Sequence, residues 1–217
     1  MGHSRTYEAI VLRTYDIGEA DRFCILLTRE RGKLAARARG VRKLTSRIGG
    51  SLLPLCKTEV EIHEGSTGFL ITGTHGMRGA SPHTIEKFLQ TQQGIELLMQ
   101  LLEDDDPLPE LFDLTEEFIG GYTEGTALTL LPFTVRLLFL LGLLPHIAVA
   151  GMPKDETEET TAFIKTCMTG EWHSLPDLSS QSNRRIQSAC DEIITQHARS
   201  SLRATAVTGA IANAKRG

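Results

Sequence analysis

Two hydrophobic periods run along the chain, and they change over near residue 80. Before it, apolar residues come in short, strand-like runs. Residues 7–13 are rich in β-branched and apolar side chains and lead into the turn-prone Asp16, Ile17, Gly18 and Glu19. Residues 22–28 follow, with Phe23, Ile25 and Leu27 on one face. After the turn at Arg31 and Gly32, Leu34, Ala36 and Ala38 face one way, and Lys33, Arg37 and Arg39 the other. Val60 and Ile62 alternate with Glu59, Glu61 and His63, and residues 65–68 form a hairpin turn into residues 69–72. Five short strands within roughly 75 residues suit a small closed or nearly closed barrel, whose closure removes exposed edges.

Beyond residue 80 the period becomes helical. Ser81 and Pro82 read as an N-cap and a first-turn proline. Ile85, Phe88, Leu89, Ile95, Leu98, Met99 and Leu102 then recur at helical spacing, and the acidic run 103–106 with Pro107 ends that helix in a solvated loop. Leu111, Phe112, Thr115, Phe118, Ile119 and Tyr122 mark a second helix, and residues 126–144 a third. Phe163, Ile164, Cys167 and Met168 mark a short fourth, and Ile186, Cys190, Ile193 and His197 a fifth. Residues 151–160 and 172–183 read as loops, and the tail from about residue 200 as frayed. The expected fold class is α+β in two domains, a barrel over residues 1–80 and an all-helical domain over 81–217.

Charge sharpens that division. The 217 residues carry a formal net charge of −4, weak evidence against a nucleic-acid partner. Residues 1–80, however, hold 13 lysines and arginines against 8 acids, a net of +5, and the remainder nets −9. The densest basic stretch comprises Arg29, Arg31, Lys33, Arg37, Arg39, Arg42, Lys43 and Arg47, opposed within it only by Glu30. Cations in a row track a phosphate backbone by charge and counterion release. On a small barrel, one sheet face with its loops is the usual oligonucleotide surface. Phe23 and Phe69 read as core, and Tyr15, in a loop, as the best residue for stacking on a base. Arg22 and Arg29 could instead pair with Glu19, Asp21 or Glu30. The charge run read as a plain solvated face is the competing interpretation.

Other chemistries are poorly supported. Residues 126–144 approach membrane-spanning length, but Arg136 at their middle costs roughly 2.5–3.5 kcal/mol on insertion scales. Pro132 and Gly142 also interrupt them, so a buried core helix is expected. The start Met1-Gly2-His3-Ser4-Arg5-Thr6 matches the loose myristoylation pattern, read as chance. Cys24, Cys56, Cys167 and Cys190 form no close pair, so buried reduced thiols in a cytosolic protein are expected. There is no Walker A loop and no GxSxG elbow, and no catalytic residues are assigned.

At this point the residues resemble a known family. Residues 7–14, Gly18 to Arg22, residues 27–33, Ala38 to Lys43 and residues 46–52 are similar, in order and spacing, to the N-terminal signature of the RecO recombination mediators. Farther on the likeness rests on the helical character, on Arg136-Leu137-Leu138 and on Leu141-Gly142-Leu143-Leu144-Pro145. The resemblance implies an OB-fold barrel followed by a helical domain, in a cytoplasmic, nucleoid-associated DNA-repair factor. It implies binding of single- and double-stranded DNA, annealing of complementary strands, and, with RecR, loading of RecA onto DNA coated by single-strand-binding protein. It also implies docking of that protein's acidic C-terminal tail, for which Arg184, Arg185, Arg199 and Arg203 are candidates. Many members carry a four-cysteine zinc site just after the leucine–proline segment. Here that place reads His146-Ile147-Ala148-Val149-Ala150-Gly151, so no zinc and no other cofactor is expected. The competing functions are a protein–protein adaptor that does not bind DNA and an RNA-binding barrel.

Overall fold

The structure, a computed structural model, describes residues 3–66, 68–79, 84–120, 128–144 and 154–198. Its strands are β1 (His3–Ile17), β2 (Asp21–Thr28), β3 (Gly32–Ala38), β4 (Cys56–Gly65) and β5 (Gly68–Gly79). They close a barrel in the order β1-β2-β3-β5-β4. All ladders are antiparallel except β3 with β5. The long β1 makes closure possible, because Ala9 and Ile10 pair with β2 on one side and β4 on the other. A register shift between Val11 and Arg13 bends the strand where it passes from one partner to the next.

Alternation fills the interior. Tyr7, Ala9 and Val11, Cys24 and Leu26, Leu34, Ala36 and Ala38, Val60, Ile62 and Ile71 form one buried cluster. The expected faces of β3 and β4 are therefore observed. On β2, Phe23, Ile25 and Leu27 share one face as expected, but that face is the outer one and Cys24 and Leu26 point inward, so Phe23 is not part of the barrel core. Leu27 misleads because it is buried too, opposite Ile10 on the outside of the barrel. β1 also runs on through Tyr15, so this residue is on a strand, not in a loop.

The helices are α1 (Ile85–Leu101), α2 (Pro109–Gly120), α3 (Leu130–Leu140), α4 (Lys154–Thr169) and α5 (Ser180–His197), with a 3₁₀ turn at Trp172–Ser174. The start of α4 lies in a stretch expected to be loop. Its first half is polar and carries no apolar period, so only Phe163 and Cys167 betrayed it. The eleven-residue α3 is far too short to cross a bilayer, and no helix among the described residues is long and apolar enough to do so. The segments 1–2, 80–83, 121–127, 145–153 and 199–217, with the expectations made for them, lie outside the described residues.

The chain packs as two compact units. One joins residues 1–83 with 102–125; the other joins 84–101 with 126–217. The change of period at residue 80 thus separates strand from helix, but the acidic loop and α2 belong with the barrel. This redistributes charge. Residues 102–125 hold nine acids and no lysine or arginine, which takes the barrel unit from +5 to −4 and leaves the helical unit neutral.

Candidate nucleic-acid interface

Acids from residues 102–125 and from the barrel itself occupy the first half of the basic stretch. Arg29 pairs with Glu8 (3.2 Å) and with Asp113 of α2. Arg31 reaches Glu64 (3.0 Å) and Asp105 (2.5 Å), and its guanidinium lies 4.5 Å from the centre of the Phe69 ring. Lys33 is buried and bonds Asp104 at 3.2 Å. The loop is further tied down by Asp105 N–H donating to the Lys33 carbonyl (2.9 Å). The run of acids read as a solvated loop is therefore a strap across the start of β3.

Lys57 completes this flank. It bridges Glu8 and Glu116, each at 2.6 Å, beside the Phe112 ring. The Lys57 hydrogen bond is the main cause holding the Glu8 carboxyl below its ordinary range, and Arg29 adds to it. Burial alone would lower the Lys57 ammonium, but its bonds to Glu116 and Glu8 outweigh that and raise it. A depressed carboxyl contributes stability above its unfolded value and loses it as pH falls through the folded one. Lys57→Met is expected to cost about 1 kcal/mol near neutral pH and much less at an acid pH below the depressed range of Glu8, where that carboxyl is protonated. Urea unfolding at both pH values checks this, and an equal deficit at both would contradict it.

The second half of the stretch is built differently. Across the outer face, Tyr15 of β1 pairs with Phe23 of β2, and Phe23 with Arg37 of β3. Directly opposed residues of a ladder share a face, so these three side chains form a row. Tyr15 is 47% exposed and Phe23 half-buried. Ile25 and Arg13 stand in the adjacent row. Arg37 is exposed but oriented: it donates to Asp21 at 2.9 and 2.6 Å. The Gly40 N–H also donates to Asp21 (2.8 Å) and, with Arg37, holds that carboxyl below its usual range.

The β3–β4 connection, residues 39–55, rises beside this row. Arg42 bonds Asp16 (3.2 Å) and the Gly18 carbonyl (3.0 Å), which pins the loop to the β1–β2 hairpin. Arg22 reinforces the hairpin through Asp16 (3.1 Å) and the Leu52 carbonyl (3.2 Å). Val41 and Leu52 are buried in the barrel cluster, each worth about 1.5–3 kcal/mol of apolar burial. Arg39, Lys43 and Arg47 are exposed, and among the described residues none has an acid within ion-pair distance.

Thus the structure brings Tyr15, Arg37, Arg39, Arg42, Lys43 and Arg47 to one region, and places Arg29, Arg31 and Lys33 under the strap. Arg22 and Arg29 do pair with acids, but with Asp16, Glu8 and Asp113. Sequence reasoning missed Phe23, whose neighbours Cys24 and Leu26 carry the inward alternation that could have revealed it.

In the helical unit, Arg184 is exposed and donates to the Ser180 carbonyl (3.1 Å), and Arg185 is half-buried one position on. The start of α5 already holds a carboxylate. Glu159 accepts from Ser179 N–H and from the Ser182 hydroxyl (3.0 Å). Arg199 and Arg203 lie outside the described residues. The four cysteines are free and buried, and burial pushes Cys167 and Cys190 up to about 12. Among the described residues no three His, Cys, Asp or Glu side chains cluster as a metal site.

These features define a class: a small closed β-barrel with an aromatic and cationic outer face, followed by a helical unit. Residues 1–73 match the family model for the recombination protein O N terminal, and residues 82–169 that for its C terminal. A Myxococcus xanthus protein named DNA repair protein RecO is 38% identical over 145 residues, covering 64% of this chain and 59% of its own length. Its namesake in Anaeromyxobacter dehalogenans is 33% identical over 186 residues, covering 77% and 72%. One from Rhodopirellula baltica is 35% identical over 165 residues, covering 71% and 61%. The chain belongs to the RecO family, and it spans about three fifths of the Myxococcus and Rhodopirellula relatives it matches.

Proposed function

We propose that the chain serves DNA repair and recombination as a mediator that binds DNA non-covalently and anneals complementary strands. The observation that carries this reading is the row Tyr15, Phe23, Arg37 beside a loop bearing three exposed cations that, among the described residues, have no acid within ion-pair distance. The barrel order, with β3 parallel to β5, supports an OB-fold. Aromatic rings on an open face stack bases, and the neighbouring cations hold phosphates. Annealing needs the repulsion of two polyanions screened, and cations that hold both strands also raise their effective concentration. Few base-edge readers are present, so binding is weakly sequence-specific and salt-sensitive. Both single- and double-stranded DNA are ligands in this reading.

The family relationship supports RecR as a partner, RecA loading as the outcome and the acidic tail of single-strand-binding protein as a docked peptide. Arg184 and Arg185 are the described candidates for that tail. Its binding is expected to weaken about tenfold in Arg184→Glu/Arg185→Glu if each charge contributes under 1 kcal/mol. Fluorescence anisotropy of a labelled acidic peptide checks this, and unchanged affinity would move the site elsewhere. The net −4 of the barrel unit favours a second reading, a protein adaptor that does not bind DNA. Strand annealing by the full chain separates them, since an adaptor gives none.

A further inference from the structure

The most exposed apolar side chain among the described residues is Leu44, fully solvated at the tip of the β3–β4 loop. A single exposed leucine is ordinary by itself. This one is held in place. Turn hydrogen bonds from Lys43 N–H to the Gly40 carbonyl (3.1 Å) and from Ser46 N–H to the Lys43 carbonyl (2.9 Å) shape the tip. The two limbs touch below it: a Cβ on Gly49 would lie 2.8 Å from the Val41 carbonyl oxygen. Arg42 N–H donates to the Ala20 carbonyl (2.9 Å), so the loop's root is tied to the β1–β2 hairpin. Along the same loop, Arg39, Lys43 and Arg47 are exposed and without an acid within ion-pair distance among the described residues.

An apolar side chain raised between cations matches one ligand chemistry, stacked bases flanked by phosphates. Apolar wedges that enter base steps have this form. A protein partner would meet the same leucine beside the exposed charges of Lys43 and Arg47, which it would have to neutralise. We propose that Leu44 is a wedge that enters a base step of a bound single strand whose phosphates are held by Lys43 and Arg47. The strand continues onto Tyr15 and Phe23, and the wedge opens its stack and presents bases for pairing. This rests on the DNA-binding reading above.

The test uses the full chain and single-stranded oligonucleotides carrying one 2-aminopurine at successive positions. Binding is followed separately by the anisotropy of an end label. The expected result is a several-fold rise in 2-aminopurine emission at one position for the native chain. In Leu44→Ser that rise is lost, while affinity falls by no more than about tenfold, the worth of one stacked base. Because Leu44 is fully exposed, the substitution leaves folding intact. An equal rise in Leu44→Ser, with binding intact, overturns the wedge alone; a protein-docking role for Leu44 gives this outcome. No binding by the native chain overturns the DNA-binding reading, and the wedge with it.

Discussion

Gly32→Ala is expected to destabilise the barrel unit by about 3 kcal/mol or more, among the largest effects of any single methyl group here. Two costs add at this position. Gly32 has a φ of +72°, where an L side chain is strained by roughly 1–2 kcal/mol. A Cβ there would also lie 2.1 Å from the Asp106 carbonyl oxygen, which is backbone and cannot swing aside. The acidic strap would have to lift, and with it the pairs of Asp104 to Lys33 and Asp105 to Arg31. Gly18→Ala isolates the first cost. Its φ is +56°, but nothing lies within 4 Å of the added atom. It should lose only about 1 kcal/mol. Urea unfolding of the two variants, measured together, decides the point. A Gly32→Ala deficit no larger than that of Gly18→Ala would show that the strap does not pack as described.

Reversing Arg39, Lys43 and Arg47 to Glu should weaken single-stranded DNA binding at low salt by a hundredfold or more. Three phosphate contacts at about 1 kcal/mol each account for roughly two decades, and the new negative charges add repulsion. All three residues are exposed, so the fold should survive, as an unchanged thermal midpoint would show. The same reversal of Arg29, Arg31 and Lys33 should behave differently. Those cations are tied to Glu8, Asp113, Glu64, Asp105 and Asp104, so their loss unfolds the flank before it touches DNA. Gel shift and thermal denaturation of both triple variants check this. Comparable DNA affinity in Arg39→Glu/Lys43→Glu/Arg47→Glu and the native chain would place the ligand elsewhere.

Much of the barrel was legible in the residues, for local reasons. Leu34, Ala36 and Ala38 alternate with polar neighbours because only one face of β3 is apolar, and Gly65 and Gly68 close the β4–β5 hairpin as expected. Phe23 reads as core because the outer face of β2, which it shares with Ile25 and Leu27, also carries a buried residue, Leu27, so alternation there has two apolar solutions. The helical period found α1, α2 and α5, but it cannot register the polar first half of α4. The largest revision concerns charge. Residues 102–125 were assigned to a helical body of −9, and only tertiary packing shows that they neutralise Arg29, Arg31, Lys33 and Lys57. Nothing in linear spacing distinguishes those cations from Arg39, Lys43 and Arg47, since the acids that separate the two groups lie tens of residues away. The candidate interface thus shrinks from eight cations to Arg37 of β3 and the loop that bears Arg39, Arg42, Lys43 and Arg47, and gains Phe23.

The central claim is that this loop and Arg37 hold the phosphates of single-stranded DNA while Tyr15 and Phe23 stack its bases. Its most direct test is the salt dependence of binding by the full chain and by Arg39→Ala/Lys43→Ala/Arg47→Ala. Each phosphate contact contributes a slope of about 0.7 in log affinity against log salt for a single strand. The triple variant should therefore bind with a slope shallower by about 2. Identical slopes for the two proteins would contradict the claim.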